Sequence, residues 1–391
     1  MRVAVSGIPS SKMRNITGRG ADFSPRYDEV TPRIASEKSV KYELSRIANT
    51  GNFLIGEGLR YAVRENESHY VPMPWLTGEG GPEVIRHLNQ NFDFFAIASA
   101  NLFHIKNDTS ELVRVLNEIN IPVLMMSAGI QKREDFNESC PESFRPFIDV
   151  VKRKNIRMFT RGAPTTDFLR SQGVNYVEPV GCPSLFAFPD NFRVSMQRLK
   201  RLKLEETLDV IYSGYLGAAK DTVLDINAFA APGTARYVLQ DEPLLFKYNF
   251  SAPENTRVYN DISGEILAPV NFPGADELRV DLKHYVFFST EQWRAFASRS
   301  SFAFARRFHG GIIAAQAGVP TIWISVDDRT SEMLSFADLP HINASEWNHV
   351  ANKKQYLTAF INDFNLQRSM RTYNVNLERF RSLLKDLGLR K

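Results

Sequence analysis

The chain has 391 residues, 43% hydrophobic and 24% charged, which is too long for one ordinary domain and ample for two cores. Lys and Arg number 48 against 44 Asp and Glu, and the net charge of +4 is too small and too scattered to imply nucleic acid as a partner. The two cysteines, Cys140 and Cys182, exclude a disulfide framework and a zinc site and point to a reducing compartment.

The opening run Met1 to Gly7 reads as one apolar strand entering a turn, too short for the core of a signal peptide. No stretch approaches the ~20 apolar residues of a membrane span, so a cytoplasmic protein is expected. From about residue 80, short apolar strands alternate with helical spacing. Phe92–Ala98, Ile121–Ser127, Ile156–Thr160 and Val174–Val180 read as strands. Ser110–Ile119, Phe144–Lys152 and Pro164–Ser171 read as helices, the last with Pro in its first turn. Such alternation with short connections implies a parallel, doubly wound sheet.

The Arg- and Lys-rich stretch 189–208 reads as a linker carrying a solvated basic helix, with a basic surface for an anionic partner as the alternative. A second series follows. Leu208–Tyr212, Arg236–Gln240, Tyr285–Phe288, Ser301–Ala305 and Pro320–Val326 read as strands. Thr290–Ser298, Gly311–Ala317, 353–364 and 375–387 read as helices. Residues 10–35 and 241–282 show no pattern and read as loops or lids. The expected fold class is α/β: two Rossmann-like doubly wound domains facing across a cleft. The expected division is 1–190 on the acceptor side, 191–207 as linker, and 208–391 with the donor site and the C-terminal helices.

Ligands in such sheets sit outside the carboxyl ends of the strands, so residues just after strands carry the chemistry. Arg306-Arg307-Phe308-His309-Gly310-Gly311 follows the strand ending at Ala305 and opens a helix. A helix N-terminus offers free N–H groups and partial positive charge, Arg307 offers a fork for phosphate or carboxylate, and His309 can move protons. Gly310 would let a ligand approach the backbone, and Arg306 is expected to be structural. One strand later, Asp327-Asp328-Arg329-Thr330-Ser331-Glu332 places Arg329 and Glu332 on the neighbouring loop; a helix-surface ion pair is the plainer reading. Thr160-Arg161-Gly162 repeats the strand–Arg–helix pattern in the first half, where Arg161 is either a cleft residue or a solvated arginine. Thr50 to Gly58 is glycine-rich without a dinucleotide or Walker pattern; its Asn52 and Glu57 either bind hydroxyls or belong to a plain turn. The remaining histidines lack metal-ligand spacing, and no Gly-x-Ser-x-Gly elbow exists.

Taken together, Arg307-Phe308-His309-Gly310, Ala314-Ala315-Gln316-Ala317-Gly318-Val319-Pro320 and Asp328-Arg329-Thr330-Ser331-Glu332 resemble the C-terminal signature of polysaccharide pyruvyl transferases. Thr160-Arg161-Gly162, Gly181-Cys182-Pro183-Ser184-Leu185-Phe186 and Asn52 to Gly56 extend the resemblance backward. It implies a fold like that of GT-B glycosyltransferases. It also implies transfer of pyruvate from phosphoenolpyruvate, as a ketal, onto a sugar of a glycan or a lipid-linked precursor. Arg161, Arg307 and Arg329 would bind the donor with Asn52 and Gly310 beside them, His309 would act as base, and Glu332 would be the acid candidate. No cofactor and no metal are expected. A nucleotide-sugar glycosyltransferase and a non-catalytic glycan-binding relative are the competing readings.

Overall fold

A computed structural model describes residues 1–10, 13–17, 26–30, 37–100, 102–130, 136, 139–204, 208–214, 219–229, 234–245, 265–266, 277–279 and 281–390. Among these, the strands form two sheets. The first holds β1 (Arg2–Gly7), β2 (Met13–Thr17), β3 (Arg26–Val30), β4 (Glu67–Tyr70), β5 (Phe94–Ala98), β6 (Val123–Ala128), β7 (Arg157–Thr160) and β8 (Val177–Pro179), in the order β3-β2-β4-β1-β5-β6-β7-β8. The second holds β9 (Val210–Ser213), β10 (Thr234–Leu239), β11 (Glu265–Ile266), β12 (Asp281–Val286), β13 (Phe302–Ala305), β14 (Thr321–Ser325) and β15 (His341–Asn343), in the order β11-β12-β10-β9-β13-β14-β15. Pairing is parallel except at the two edges, β2 with β3 and β11 with β12. Continuous apolar runs such as Phe94–Ala98 and Phe302–Ala305 suit strands buried on both faces by helices, and every residue of both is buried.

Each sheet reverses its strand order once beside its first strand. In the first, β1 separates β4 from β5; in the second, β9 separates β10 from β13. These are the topological switch points, where a crevice opens at the carboxyl ends. The expected α/β class with two doubly wound halves is the fold observed.

The halves share one apolar core. Leu54, Leu185 and Phe186 from the first half join Phe287, Trp293, Ile312 and Ile313 from the second in a single buried cluster. The helix Phe53–Ala62 is the wedge between them, with Phe53 to Leu59 buried without a break. Its glycines serve packing: a Cβ on Gly56 would lie 2.3 Å from the Pro9 carbonyl, and one on Gly58 would lie 2.4 Å from the Ser184 nitrogen. The stretch expected as a glycine loop is therefore mostly helix, preceded by a short turn at Thr50–Asn52. Glu57 is not among the residues that line the cleft described below. It is buried against Arg294 at 2.6 Å and accepts from the Thr290 hydroxyl at 2.9 Å, across the two halves.

The basic stretch after Pro189 also differs from expectation. Helix Pro189–Leu199 buries Phe192, Ser195, Met196 and Leu199. Its charges hold the chain together: Arg198 donates to the Gly318 carbonyl at 3.1 Å and Lys200 to that of Ile361 at 2.6 Å. The last helix, Leu366–Asp386, starts nine residues before the expected 375 because Asn365 caps it, accepting from the Arg368 N–H. It returns to the first half, where the Tyr373 hydroxyl donates to the Leu185 carbonyl and Phe380 stacks on Phe186. Most of 10–35 and 241–282, expected as loops or lids, lies outside the described residues. Among the described residues no helix is long and apolar enough to cross a membrane.

Candidate functional site

The strand β13 ends at Ala305, and the next two backbone N–H groups, of Arg306 and Arg307, donate to the Ser213 carbonyl at 2.8 and 3.2 Å. That pins the chain to the end of β9, at the switch point. Arg306 turns inward to Asp225 at 2.6 Å and Asn348 at 2.9 Å. Burial pushes the Asp225 carboxyl up while Arg306 pulls it down. With Trp347 also donating to Asp225, at 2.7 Å, Arg306 is a structural anchor, as expected.

Arg307 precedes helix Phe308–Gln316, and the structure gives its guanidinium partners the sequence did not reveal. Nε donates to the Gly214 carbonyl at 2.7 Å, and the terminal nitrogens pair with Asp241 and with Glu242. Burial disfavours the charge, but Glu242 and Asp241 outweigh it and hold Arg307 above its ordinary pKa. Glu242 is fully buried and accepts from the Tyr237 hydroxyl and the Gln240 and Asp241 N–H groups. Arg307 is thus largely neutralised by protein carboxylates.

Gly310 faces protein too. A Cβ there would lie 1.9 Å from the Ser213 hydroxyl and 3.0 Å from the Gln240 amide, so glycine lets the helix seat on β9. Gln240 in turn donates to that hydroxyl at 2.7 Å, and its carbonyl accepts from the Thr50 N–H. Asn52 lines the cleft with its amide tied to the Ile47 carbonyl at 2.7 Å.

Arg161 and Arg329 converge with His309. Arg161 follows β7; its N–H donates to the Ala128 carbonyl and its Nε to that of Ser127 at 3.2 Å. Arg329 lies in the first turn of helix Asp328–Phe336, whose cap Asp327 accepts from the Thr330 N–H at 2.7 Å and from Arg329 at 3.1 Å. Burial, then repulsion from Arg329, lowers the Arg161 pKa to about 10, so it stays charged at neutral pH. His309 is held at about 3 by burial first, then by the fields of Arg161 and Arg329, and is neutral near pH 7. Its Nε2 lies 3.4 Å from the Cys182 sulfur.

Arg161, Arg307, His309 and Arg329 line one cleft of about 720 Å³, together with Asp241 and Asn348. Burial and Glu242 raise the Asp241 carboxyl above the usual aspartate range against the pull of Arg307. Glu332 is not among the lining residues. Its carboxylate accepts from the Thr165 N–H at 2.9 Å and the Thr165 hydroxyl at 3.0 Å, capping helix Ala163–Ser171 from the other half of the chain. Its acid assignment therefore gives way to a structural one: both oxygens already serve a helix start. Among the described residues no cluster of three His, Cys, Asp or Glu side chains could hold a metal ion.

Sequence reasoning missed Gln240, Asp241 and Glu242. The available signal was their position directly after the strand beside β9, the place where the same reasoning sought function. It also missed the contact between Cys182 and His309, which are 127 residues apart.

No curated protein matches the sequence. The UDP-GlcNAc 2-epimerase of Methanocaldococcus jannaschii aligns over 98% of this chain and 99% of its own, with 10% identity and a TM-score of 0.46. That of Neisseria meningitidis, bound to UDP-GlcNAc, aligns over 97% and 100%, with 9% identity and a TM-score of 0.43. A family 9 glycosyl transferase from Veillonella parvula aligns over 97% of each chain, with 10% identity and a TM-score of 0.34. Likenesses at this level carry no functional argument. The sequence model of one family, described as polysaccharide pyruvyl transferase, matches residues 20–328.

Proposed function

Because the chain belongs to the polysaccharide pyruvyl transferase family, we propose that it transfers pyruvate from phosphoenolpyruvate to two hydroxyls of a sugar, on a glycan or a lipid-linked precursor, forming a ketal. The observation that carries this reading is the convergence of Arg161 and Arg329 on His309 in one cleft at a switch point. Arg161 is buried and Arg329 half-buried, and two guanidiniums that repel each other gain from an anion set between them. Phosphoenolpyruvate brings two anionic groups, a phosphate and a carboxylate. Arg161 and Arg329 take one of them, and Arg307 reaches the other when Asp241 yields it.

The chemistry needs one proton shuttle. The first hydroxyl adds to C2 of phosphoenolpyruvate while its proton passes to the methylene carbon C3, which becomes a methyl. Asp241 suits this relay: it lines the cleft, and its raised carboxyl makes it a better base than an ordinary aspartate. The second hydroxyl then bonds to C2, the C2–O bond to phosphorus-bearing oxygen breaks, and phosphate leaves with the second proton. The sum is phosphoenolpyruvate plus a diol giving a ketal and inorganic phosphate. The arginines stabilise the departing charge.

The test incubates the protein with phosphoenolpyruvate and a panel of glycan and lipid-linked acceptors, following phosphate release and acceptor mass. Phosphate release coupled to pyruvylated acceptor is expected. No product on any acceptor, together with no calorimetric binding of phosphoenolpyruvate, would overturn the reading. Binding of a nucleoside diphosphate in its place would favour a glycosyltransferase.

A further inference from the structure

Arg161 and Arg329 come from different halves of the chain, and each is fixed to its own half. Arg161 is buried against the end of β6. Its N–H donates to the Ala128 carbonyl at 3.0 Å and its Nε to that of Ser127 at 3.2 Å. Gly129 leaves room for it, since a Cβ there would lie 2.5 Å from the Arg161 Cδ. Arg329 is held by Asp327, the residue that caps its own helix. The gap between the two guanidiniums is therefore set by how helix Asp328–Phe336 docks on helix Ala163–Ser171. We propose that Glu332 is a positioning residue that sets this gap through Thr165, and so fits the cleft to an anionic group held by both arginines.

The contact is close and directional. Glu332 accepts from the Thr165 N–H at 2.9 Å through one oxygen and from the Thr165 hydroxyl at 3.0 Å through the other. That hydroxyl in turn accepts from the Ile130 N–H at 3.3 Å, which carries the link to the segment after β6 where Arg161 is anchored. Gly162 admits the carboxylate: a Cβ on it would lie 2.5 Å from the Glu332 Cγ. The Gly162 backbone is extended and open to any residue, so the neighbour alone excludes a side chain there. Arg161 directly precedes Gly162, and Arg329 lies one turn before Glu332 on the same helix face. A shift at this clasp passes to both guanidiniums. Further along the helix, Phe336 packs against Gly181, where a Cβ would lie 2.8 Å from its ring. That contact holds the far end and leaves the arginine end to Glu332.

A purely electrostatic role has the opposite sign. A carboxylate beside the arginines competes with an entering anion, so if charge were its whole effect, removing it would tighten anion binding. As a clasp, its loss weakens binding, because the guanidiniums drift from the spacing that one anion bridges.

The test is calorimetric titration of the full chain with phosphoenolpyruvate, and separately with inorganic phosphate, at a temperature where urea unfolding shows each variant folded. The choice of phosphoenolpyruvate rests on the pyruvyl-transfer reading; inorganic phosphate as a probe does not. Glu332→Ala should weaken binding about tenfold or more with the number of sites unchanged, the scale of one hydrogen bond to a charged group. Glu332→Gln keeps the shape and an acceptor for the Thr165 N–H, and should stay within about threefold of the wild type or bind more tightly. Gly162→Ala pushes the two helices apart without touching a charge. It should weaken binding as Glu332→Ala does, and it gives the same reading should Glu332→Ala fail to fold. In an Arg329→Gln background the effect of Glu332→Ala should fall below about threefold, because no pair remains to be spaced. Unchanged or tighter binding in Glu332→Ala, a loss seen only as fewer sites, a Gln variant as weak as Ala, or an undiminished loss in the Arg329→Gln background would each overturn the proposal. A wild type that binds inorganic phosphate but not phosphoenolpyruvate defeats the functional reading, and the same variants then decide the spacing with phosphate. A wild type that binds neither overturns both.

Discussion

Replacing Glu57 by Ala should be among the most damaging single changes outside the cleft. Glu57 sits on the wedge helix of the first half and Arg294 on helix Thr290–Ala297 of the second, and both are largely removed from water. Truncating one partner of a buried pair typically costs about 3–5 kcal/mol, because the other charge stays behind. Here Arg294 keeps the Gln316 side-chain amide oxygen at 2.9 Å and the face of Phe188 at 3.9 Å, which favours the lower figure, about 3 kcal/mol. The Thr290 hydroxyl also loses its acceptor, adding about 1 kcal/mol. The expected total of about 4 kcal/mol is roughly a thousandfold in the unfolding equilibrium. Urea unfolding followed by the fluorescence of Trp293, buried next to Arg294, reads it. Glu57→Gln should cost about half as much, since it keeps the shape and one acceptor. A loss below about 1 kcal/mol in Glu57→Ala, or full additivity with Arg294→Ala, would refute the claim that this pair joins the halves.

Further outcomes follow from the cleft. Arg329→Gln removes the charge that repels Arg161, so stability should hold or rise while phosphoenolpyruvate affinity falls about 10–100-fold; calorimetry showing unchanged affinity would contradict the anion role. Asp241→Asn should lower turnover by about 100-fold or more without weakening donor binding, because Arg307 sheds a competing carboxylate; steady-state kinetics with near-normal turnover would remove Asp241 from proton transfer. His309 gives a pH signature. Its folded pKa, about 3, lies below the unfolded value of about 6.5, so the unfolded chain binds the proton first. Stability from this group is full above about pH 6.5 and is lost as pH falls toward 3, amounting to about 2 kcal/mol by pH 5. His309→Asn does not titrate and should lose about that much less between pH 7.5 and 5; identical slopes in denaturant titrations would contradict the burial of His309 among the arginines.

Much of the fold was legible because buried parallel strands announce themselves as apolar runs. Phe94–Ala98 and Phe302–Ala305 were placed within two residues of their ends. β12 was placed late because DLKHYV alternates polar and apolar and only its end reads as a run. The wedge helix Phe53–Ala62 was hidden by Gly56 and Gly58, which look like loop signals but exist for close contact with Pro9 and Ser184. In the cleft, the rule that function follows strand ends led to Arg161, Arg307, His309 and Arg329, and three of these four converge. Pairing across long sequence separations was not legible: Arg307 with Asp241 and Glu242, Glu332 with Thr165, Cys182 with His309. Each depends on which loops the two sheets bring together, which residue type and local spacing do not encode.

The central claim is that the cleft between the two sheets takes phosphoenolpyruvate and moves its pyruvyl group. Its most direct test is a calorimetric titration of phosphoenolpyruvate into the wild-type chain and into Arg161→Gln, paired with phosphate release in the presence of a sugar acceptor. Saturable binding that the substitution abolishes, and phosphate released mole for mole with pyruvylated acceptor, are the predicted results. Binding that survives loss of Arg161, or phosphate released without pyruvylated product, would contradict the account.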